Sequence, residues 1–147
     1  IKNEYGFMDR SEFLAAGTQM YEDIEEPVSD KLFLQEGRKV FREVCPKVSE
    51  IISTHLSENN LEPSQIKRMW LHQANINMID LILRSVVGKD ADKSIAPVVI
   101  SEYGNTSSAS PMIVFHKHQE NMQSGDLGVI CSFGAGYSIG SVIVKKV

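Results

Sequence analysis

The stretch Trp70-Leu71-His72-Gln73-Ala74-Asn75 decides the fold. Before it, Ile66 to Leu71 is a short apolar run that predicts a buried strand. After it, Ile76, Ile79, Leu83 and Val86 recur at helical spacing, and Gly88 is placed to stop the helix. Asn75 fits the N-cap, its side-chain oxygen accepting from a backbone N–H one or two residues into the helix. His72 is therefore expected in a strand-to-helix turn near the positive end of a helix dipole. That field disfavours imidazolium and favours a neutral ring with one hydrogen-bond donor. The position suits a catalytic donor and equally a buried structural histidine, and single histidines more often pack than react.

On the N-terminal side, residues 1–36 show no clean period. Phe13, Leu14, Met20 and Tyr21 could make a short helix, and the acidic run Glu22 to Glu26, closed by Pro27, reads as a solvated loop. From Gly37 to Leu56 the residues Val40, Phe41, Val44, Val48, Ile51, Ile52 and Leu56 predict a helix, with a kink or fresh start at Pro46 and an end at Asn59-Asn60. On the C-terminal side, Val98-Val99-Ile100 predicts a short strand opened by Pro97. Gly104 to Ser110 is a glycine turn with several candidate caps, leading into a helix through about Gln123. Leu127 to Phe133 predicts a buried strand. Gly134-Ala135-Gly136 predicts a tight turn, and Tyr137 to Val147 a returning strand. The order is α/β, with a mixed sheet and packed helices.

A chain of 147 residues with net charge −4 can build one real core, and it carries no basic cluster; Lys67-Arg68 and Lys145-Lys146 are isolated pairs. Nucleic-acid binding is disfavoured on that balance. No window reaches the roughly 18 to 20 apolar residues of a membrane span. Opening at Ile1 with no signal stretch, the chain reads as a piece of a longer protein. Cys45 and Cys131 lack metal-ligand spacing and read as reduced, buried thiols of a cytoplasmic protein. His116 and His118, two apart on a helix, face different sides and read as a solvated face rather than a metal site, and His55 complements a helix C-terminus.

Three turns could carry chemistry: those at His72, at Asn105 and at Gly134-Ala135-Gly136. Each is expected to follow a strand, so all three could meet at one edge of the sheet. A neutral histidine and an asparagine amide would aim two neutral donors at one oxygen, and the glycine turn could add a backbone N–H. Taken singly, each is ordinary turn or cap chemistry. Gly-x-Gly between strands lacks the dinucleotide fingerprint. Ser107, Ser108 and Ser110 lack a nucleophile elbow and read as caps.

In order, the strings His72-Gln73-Ala74-Asn75, Gly104-Asn105-Thr106-Ser107-Ser108-Ala109-Ser110 and Ser132-Phe133-Gly134-Ala135-Gly136-Tyr137 resemble the C-terminal half of beta-ketoacyl-acyl carrier protein synthase III. Gly37-Arg38-x-Val40-Phe41 resembles the start of that half's helix. The resemblance runs from residue 37 to 147, leaving 1–36 as a lead-in or insertion, and implies the C-terminal half of a thiolase-like fold. It implies that His72 and Asn105 are two members of a Cys-His-Asn triad that stabilises the enolate left when malonyl-acyl carrier protein loses carbon dioxide. Phe133 would sit beside the histidine, and the Gly134-Ala135-Gly136 turn would supply an oxyanion N–H from Ala135. Gly37, Arg38 and Phe41 would line the pantetheine channel. The nucleophilic cysteine would belong to the N-terminal half of the same protein, which leaves this fragment inactive alone.

The same resemblance implies acyl carrier protein or coenzyme A thioesters as substrates, no separate cofactor, no metal and a homodimer of the full-length protein. Two departures stand out. Asn77 occupies a position where the family often has an arginine for carrier docking, and residues 1–36 are longer than in compact housekeeping members. The longer lead-in points to a specialised branch. The rival readings are a non-decarboxylating acyltransferase of the same fold and a non-catalytic partner subunit.

Overall fold

The computed structural model describes residues 7–9, 31–33, 37–134 and 138–147. The chain divides into two units, Ile1–Val40 and Phe41–Val147. In the first, β1 (Phe7–Asp9) pairs antiparallel with β2 (Lys31–Phe33), with Phe7 opposite Phe33. The helix expected around Phe13 to Tyr21 and the acidic loop at 22–27 lie outside the described residues.

Helix α1 (Gly37–Glu58) begins at the residue expected and turns Val44, Cys45, Val48, Ser49, Ile52 and Leu56 inward. Of the kink or fresh start expected at Pro46, the fresh start does not occur. Pro46 is exposed, so water can solvate the carbonyl that loses its donor, and the helix runs through. The end falls at Asn59-Asn60 as expected. Asn60 takes φ 54, while Leu61 N–H donates to Leu56 O and Asn60 N–H to Ser57 O, the 6→1 and 5→2 bonds of a Schellman cap.

Strand β3 (Ile66–Leu71) begins the sheet of the second unit. It pairs in parallel with β4 (Leu127–Gly134), Leu71 opposite Cys131, and β4 pairs antiparallel with β5 (Ser138–Lys145), giving a mixed three-stranded sheet in the order β3-β4-β5. Met69, Trp70 and Leu71 are all buried, as a strand covered on both faces requires. Helix α2 (Ile76–Val86) follows β3, and Asn75 caps it by accepting from Asn77 N–H at 2.8 Å. Ile79, Leu83 and Val86 face inward as expected, together with Met78 and Ile82. Ile76 does not: at the first helical position it is 54% exposed.

The strand expected at Val98-Val99-Ile100 is not formed. Val99 N–H donates to the Gln73 side chain and Val99 O accepts from Glu102 and Tyr103, so the segment turns into the one-turn helix α3 (Ile100–Tyr103). Helix α4 (Ser110–Lys117) is also shorter than expected, ending at His118, and residues 119–126 form turns. Helix α4 packs on the sheet face that carries Trp70. There Trp70, Val99, Val114 and Met122 form a core joined by Ile130 and Val144. On the opposite face α1 reaches β5, with His55 Nδ1 3.3 Å from Ser141 Oγ. Trp70 lies over the neighbouring strand on its own face. A Cβ built on Gly128 would lie 2.2 Å from the indole, so glycine is what lets the ring cross the neighbouring strand.

Candidate active site

His72 is the first residue past β3. Its N–H donates to Cys131 O at 2.9 Å, extending the parallel ladder by one rung. The side chain is 5% exposed, stacks on the Phe133 ring at a centroid distance of 4.5 Å, and places Nδ1 3.4 Å from Ser132 Oγ. Burial pushes the imidazole below its ordinary value of 6.5, while the hydrogen-bonding side chain of Asn105 pulls the other way. The ring is neutral near pH 7, with one N–H to donate and one lone pair to accept. Neutrality was expected from the dipole of α2. Its leading cause is removal from water.

Asn105 reaches the same ring from a different kind of segment. The turn expected to follow a strand follows α3 instead, through Gly104 at φ 65, ψ −161, a conformation readily open only to glycine. Asn105 Oδ1 accepts from Ser107 N–H at 2.9 Å, and Ser107 itself is left-handed at φ 54. This Asx turn holds the amide in place, with Oδ1 serving the loop backbone. Cap chemistry and site chemistry therefore coexist in one residue.

Because β3 and β4 are parallel, their C-terminal ends share an edge of the sheet, which brings His72, Ser132, Phe133 and Gly134 together. Ala135 and Gly136, the rest of the expected glycine turn, lie outside the described residues. Gly37 and Arg38 are exposed in the first turn of α1 and belong to the first unit; Phe41, half-buried, opens the second. Cys45 and Cys131 are free, buried thiols. Burial pushes Cys45 up to about 11 and Cys131 up to about 12, so neither is a thiolate near neutral pH. Among the described residues no group of three or more His, Cys, Asp or Glu side chains could hold a metal. His116 is exposed, and the His118 carbonyl accepts from the Trp70 indole at 3.3 Å.

Three polar residues escaped the reading of the sequence as parts of this region. Ser132 lies against the His72 ring. Gln73 is fully buried with its amide committed to the backbone of Leu71, Pro97 and Val99. Ser110 is not a helix cap; its hydroxyl turns back to the strand end and accepts from Gln73 N–H at 2.9 Å. The one available signal was a glutamine one residue beyond a run of buried apolar residues, where an uncommitted amide would be costly.

This arrangement of an α/β half-domain with a neutral histidine and an asparagine at one sheet edge matches a known class. The sequence model of the family "3-Oxoacyl-[acyl-carrier-protein (ACP)] synthase III C terminal" covers residues 56–146, and the chain belongs to that family. It is 50% identical over 146 residues to the beta-ketodecanoyl-[acyl-carrier-protein] synthase of Pseudomonas aeruginosa, covering 99% of this chain and 39% of that enzyme. It is 33% identical over 144 residues to a beta-ketoacyl-[acyl-carrier-protein] synthase III of Lactobacillus delbrueckii, covering 96% of this chain and 44% of the relative. In structure it superposes on 3-oxoacyl-(acyl carrier protein) synthase III of Pseudomonas aeruginosa with a TM-score of 0.70 at 26% identity, over 84% of this chain and 39% of that one. The chain thus spans about two fifths of the length of the curated relatives it matches. Its fold is the mixed α/β C-terminal half of the thiolase type.

Proposed function

We propose that this chain supplies the enolate-stabilising half of a ketosynthase that performs decarboxylative Claisen condensation. The observation that carries the reading is the buried, neutral His72 imidazole with Asn105 at its side. Two neutral donors suit a thioester carbonyl that becomes an enolate oxygen. They stabilise charge as it develops without forming a tight ion pair with the ground state. In the proposed sequence, the malonyl carboxylate leaves as carbon dioxide and its bonding electrons enter the enolate held by His72 and Asn105. The enolate carbon then attacks an acyl-cysteine carbonyl, the new carbon–carbon bond forms, and the carbon–sulfur bond breaks to return the thiolate.

The nucleophile of this scheme is a cysteine of the N-terminal half of the same protein; the high thiol values of Cys45 and Cys131 support assigning it elsewhere. The backbone N–H of Ala135 serves the second oxyanion, flanked by Gly134 and Gly136, and Phe133 walls the site. Gly37, Arg38 and Phe41 line the pantetheine channel for acyl carrier protein or coenzyme A thioesters, in a cytoplasmic homodimer that uses no separate cofactor. The relative named for beta-ketodecanoyl thioesters supports a ten-carbon product. Because the condensation adds two malonyl carbons, the primer is then an eight-carbon acyl thioester.

His72→Ala in the full-length enzyme is expected to lower malonyl decarboxylation by about 10²- to 10³-fold while acylation of the cysteine stays measurable. Unchanged condensation would overturn the proposal. The isolated chain should show no turnover, and activity from it alone would place the nucleophile within these residues.

A further inference from the structure

We infer that Gln73 and Ser110 are positioning residues that set the spacing between His72 and Asn105, an inference that rests on the catalytic reading of that pair. The connection runs through bonds that can be followed atom by atom. The amide joining His72 to Gln73 donates its N–H to Ser110 Oγ at 2.9 Å. Ser110 Oγ–H donates in turn to Ser107 O at 2.6 Å, and Ser107 N–H donates to Asn105 Oδ1 at 2.9 Å. The backbone of one site residue is thereby linked to the side chain of the other through a single buried hydroxyl.

The Gln73 side chain secures the same junction from its other side. Its Nε2 donates to Leu71 O at 2.9 Å and to Pro97 O at 3.4 Å, and its Oε1 accepts from Val99 N–H at 2.9 Å. It therefore ties the end of β3 to the segment that enters α3, directly upstream of the Asn105 turn. Both residues are nearly inaccessible to water, Gln73 at 0% and Ser110 at 1% exposure, so a lost partner cannot be replaced cheaply by solvent. The loop they hold contains Ser107 at φ 54, a conformation that a serine does not favour and that surrounding bonds must maintain. Serine at position 110 is suited to this task because one small atom accepts from the Gln73 N–H just past β3 and donates to the Ser107 carbonyl of the loop.

The test is a double-mutant cycle in the full-length enzyme: Ser110→Ala, Asn105→Ala and the pair, each assayed for cysteine acylation and malonyl decarboxylation, with folding checked by circular dichroism. Ser110→Ala is expected to lower kcat for decarboxylation by about 10- to 100-fold with KM and acylation within about threefold, since small misplacements of site groups have effects of that size. On the Asn105→Ala background the same substitution should cost about twofold or less, because its route of action is gone. Ser110→Thr, which keeps the hydroxyl, should restore most of the rate. An equal loss from Ser110→Ala on both backgrounds, a parallel loss of acylation, or a decarboxylation rate within twofold of wild type would each overturn the inference. Should Ser110→Ala fail to fold, Ser110→Cys, with similar volume and a weaker donor, takes its place under the same criteria. Normal decarboxylation by the Asn105→Ala and His72→Ala variants would instead refute the catalytic reading, a result distinct from failure of the positioning role.

Discussion

His72 leaves the sheet from the end of a strand paired along its length, whereas Asn105 is carried by a loop with no strand on either side. The first position is fixed by a backbone ladder, a buried apolar run and the Asn75 cap of α2. The second is fixed by side-chain bonds and by two residues with positive φ. Two halves of one site are thus held by different physics. The ladder depends little on which side chains are present, provided they pack. The loop depends on the identity of Gly104, Ser107 and Ser110.

The largest stability effect is expected where the ladder is attacked through packing. Gly128→Val would push a branched side chain into the Trp70 ring, already 2.2 Å from a Cβ at that position, and should destabilise by about 3 kcal/mol or more in urea unfolding. A smaller loss would show that β3 and β4 can separate without unfolding, which would weaken the contrast. Gly104→Ala attacks the loop. It should cost about 1 to 3 kcal/mol in the same measurement, and in the full-length enzyme it should slow decarboxylation more than acylation. Equal slowing of both steps would mean that the loop matters only for folding. Asn75→Ala removes the cap of α2 and is expected to cost about 1 kcal/mol with the His72 site intact, because the ladder holds that end.

The smallest effect belongs to pH in the middle of its range. His72 has a folded pKa below 6.5, so the unfolded chain binds the extra proton first and stability falls as pH drops through 6.5 towards the folded value. Cys45 and Cys131 have folded values of about 11 and about 12 against 9.0, so the unfolded chain ionises first and stability falls as pH rises above 9. Between 6.5 and 9 unfolding free energy should be nearly flat. Replacing His72 by Gln should remove the acid-side slope that this residue contributes, and an unchanged slope would show that burial does not set its protonation.

The same contrast explains what the sequence discloses. Strand β3, helix α2 and strand β4 were legible because their apolar periods are long and their ends carry turn residues. Val98-Val99-Ile100 was misread because three β-branched residues imitate a strand, while the bond that decides the matter comes from the Gln73 side chain far along the chain. Ile76 fits the helical stripe but sits in the first turn, where the core does not reach. Pro46 obeys its local rule and is overridden because it faces water. At the site, His72 was legible as a turn residue, and its association with Asn105 only through the order of three motifs. Ser110 and Gln73 were invisible as partners, since a hydrogen bond between segments leaves no periodic trace in either.

Trp70 has a use of another kind. It is the only tryptophan in the chain, two residues from His72, with its indole N–H held by the His118 carbonyl and its ring in T-shaped contact with Phe115. Light absorbed by this one chromophore therefore reports on the strand that ends in the site. Loosening of α4 from the sheet would admit water to the indole and shift its emission to longer wavelengths, so the isolated chain comes with an optical gauge of its own integrity that needs no label.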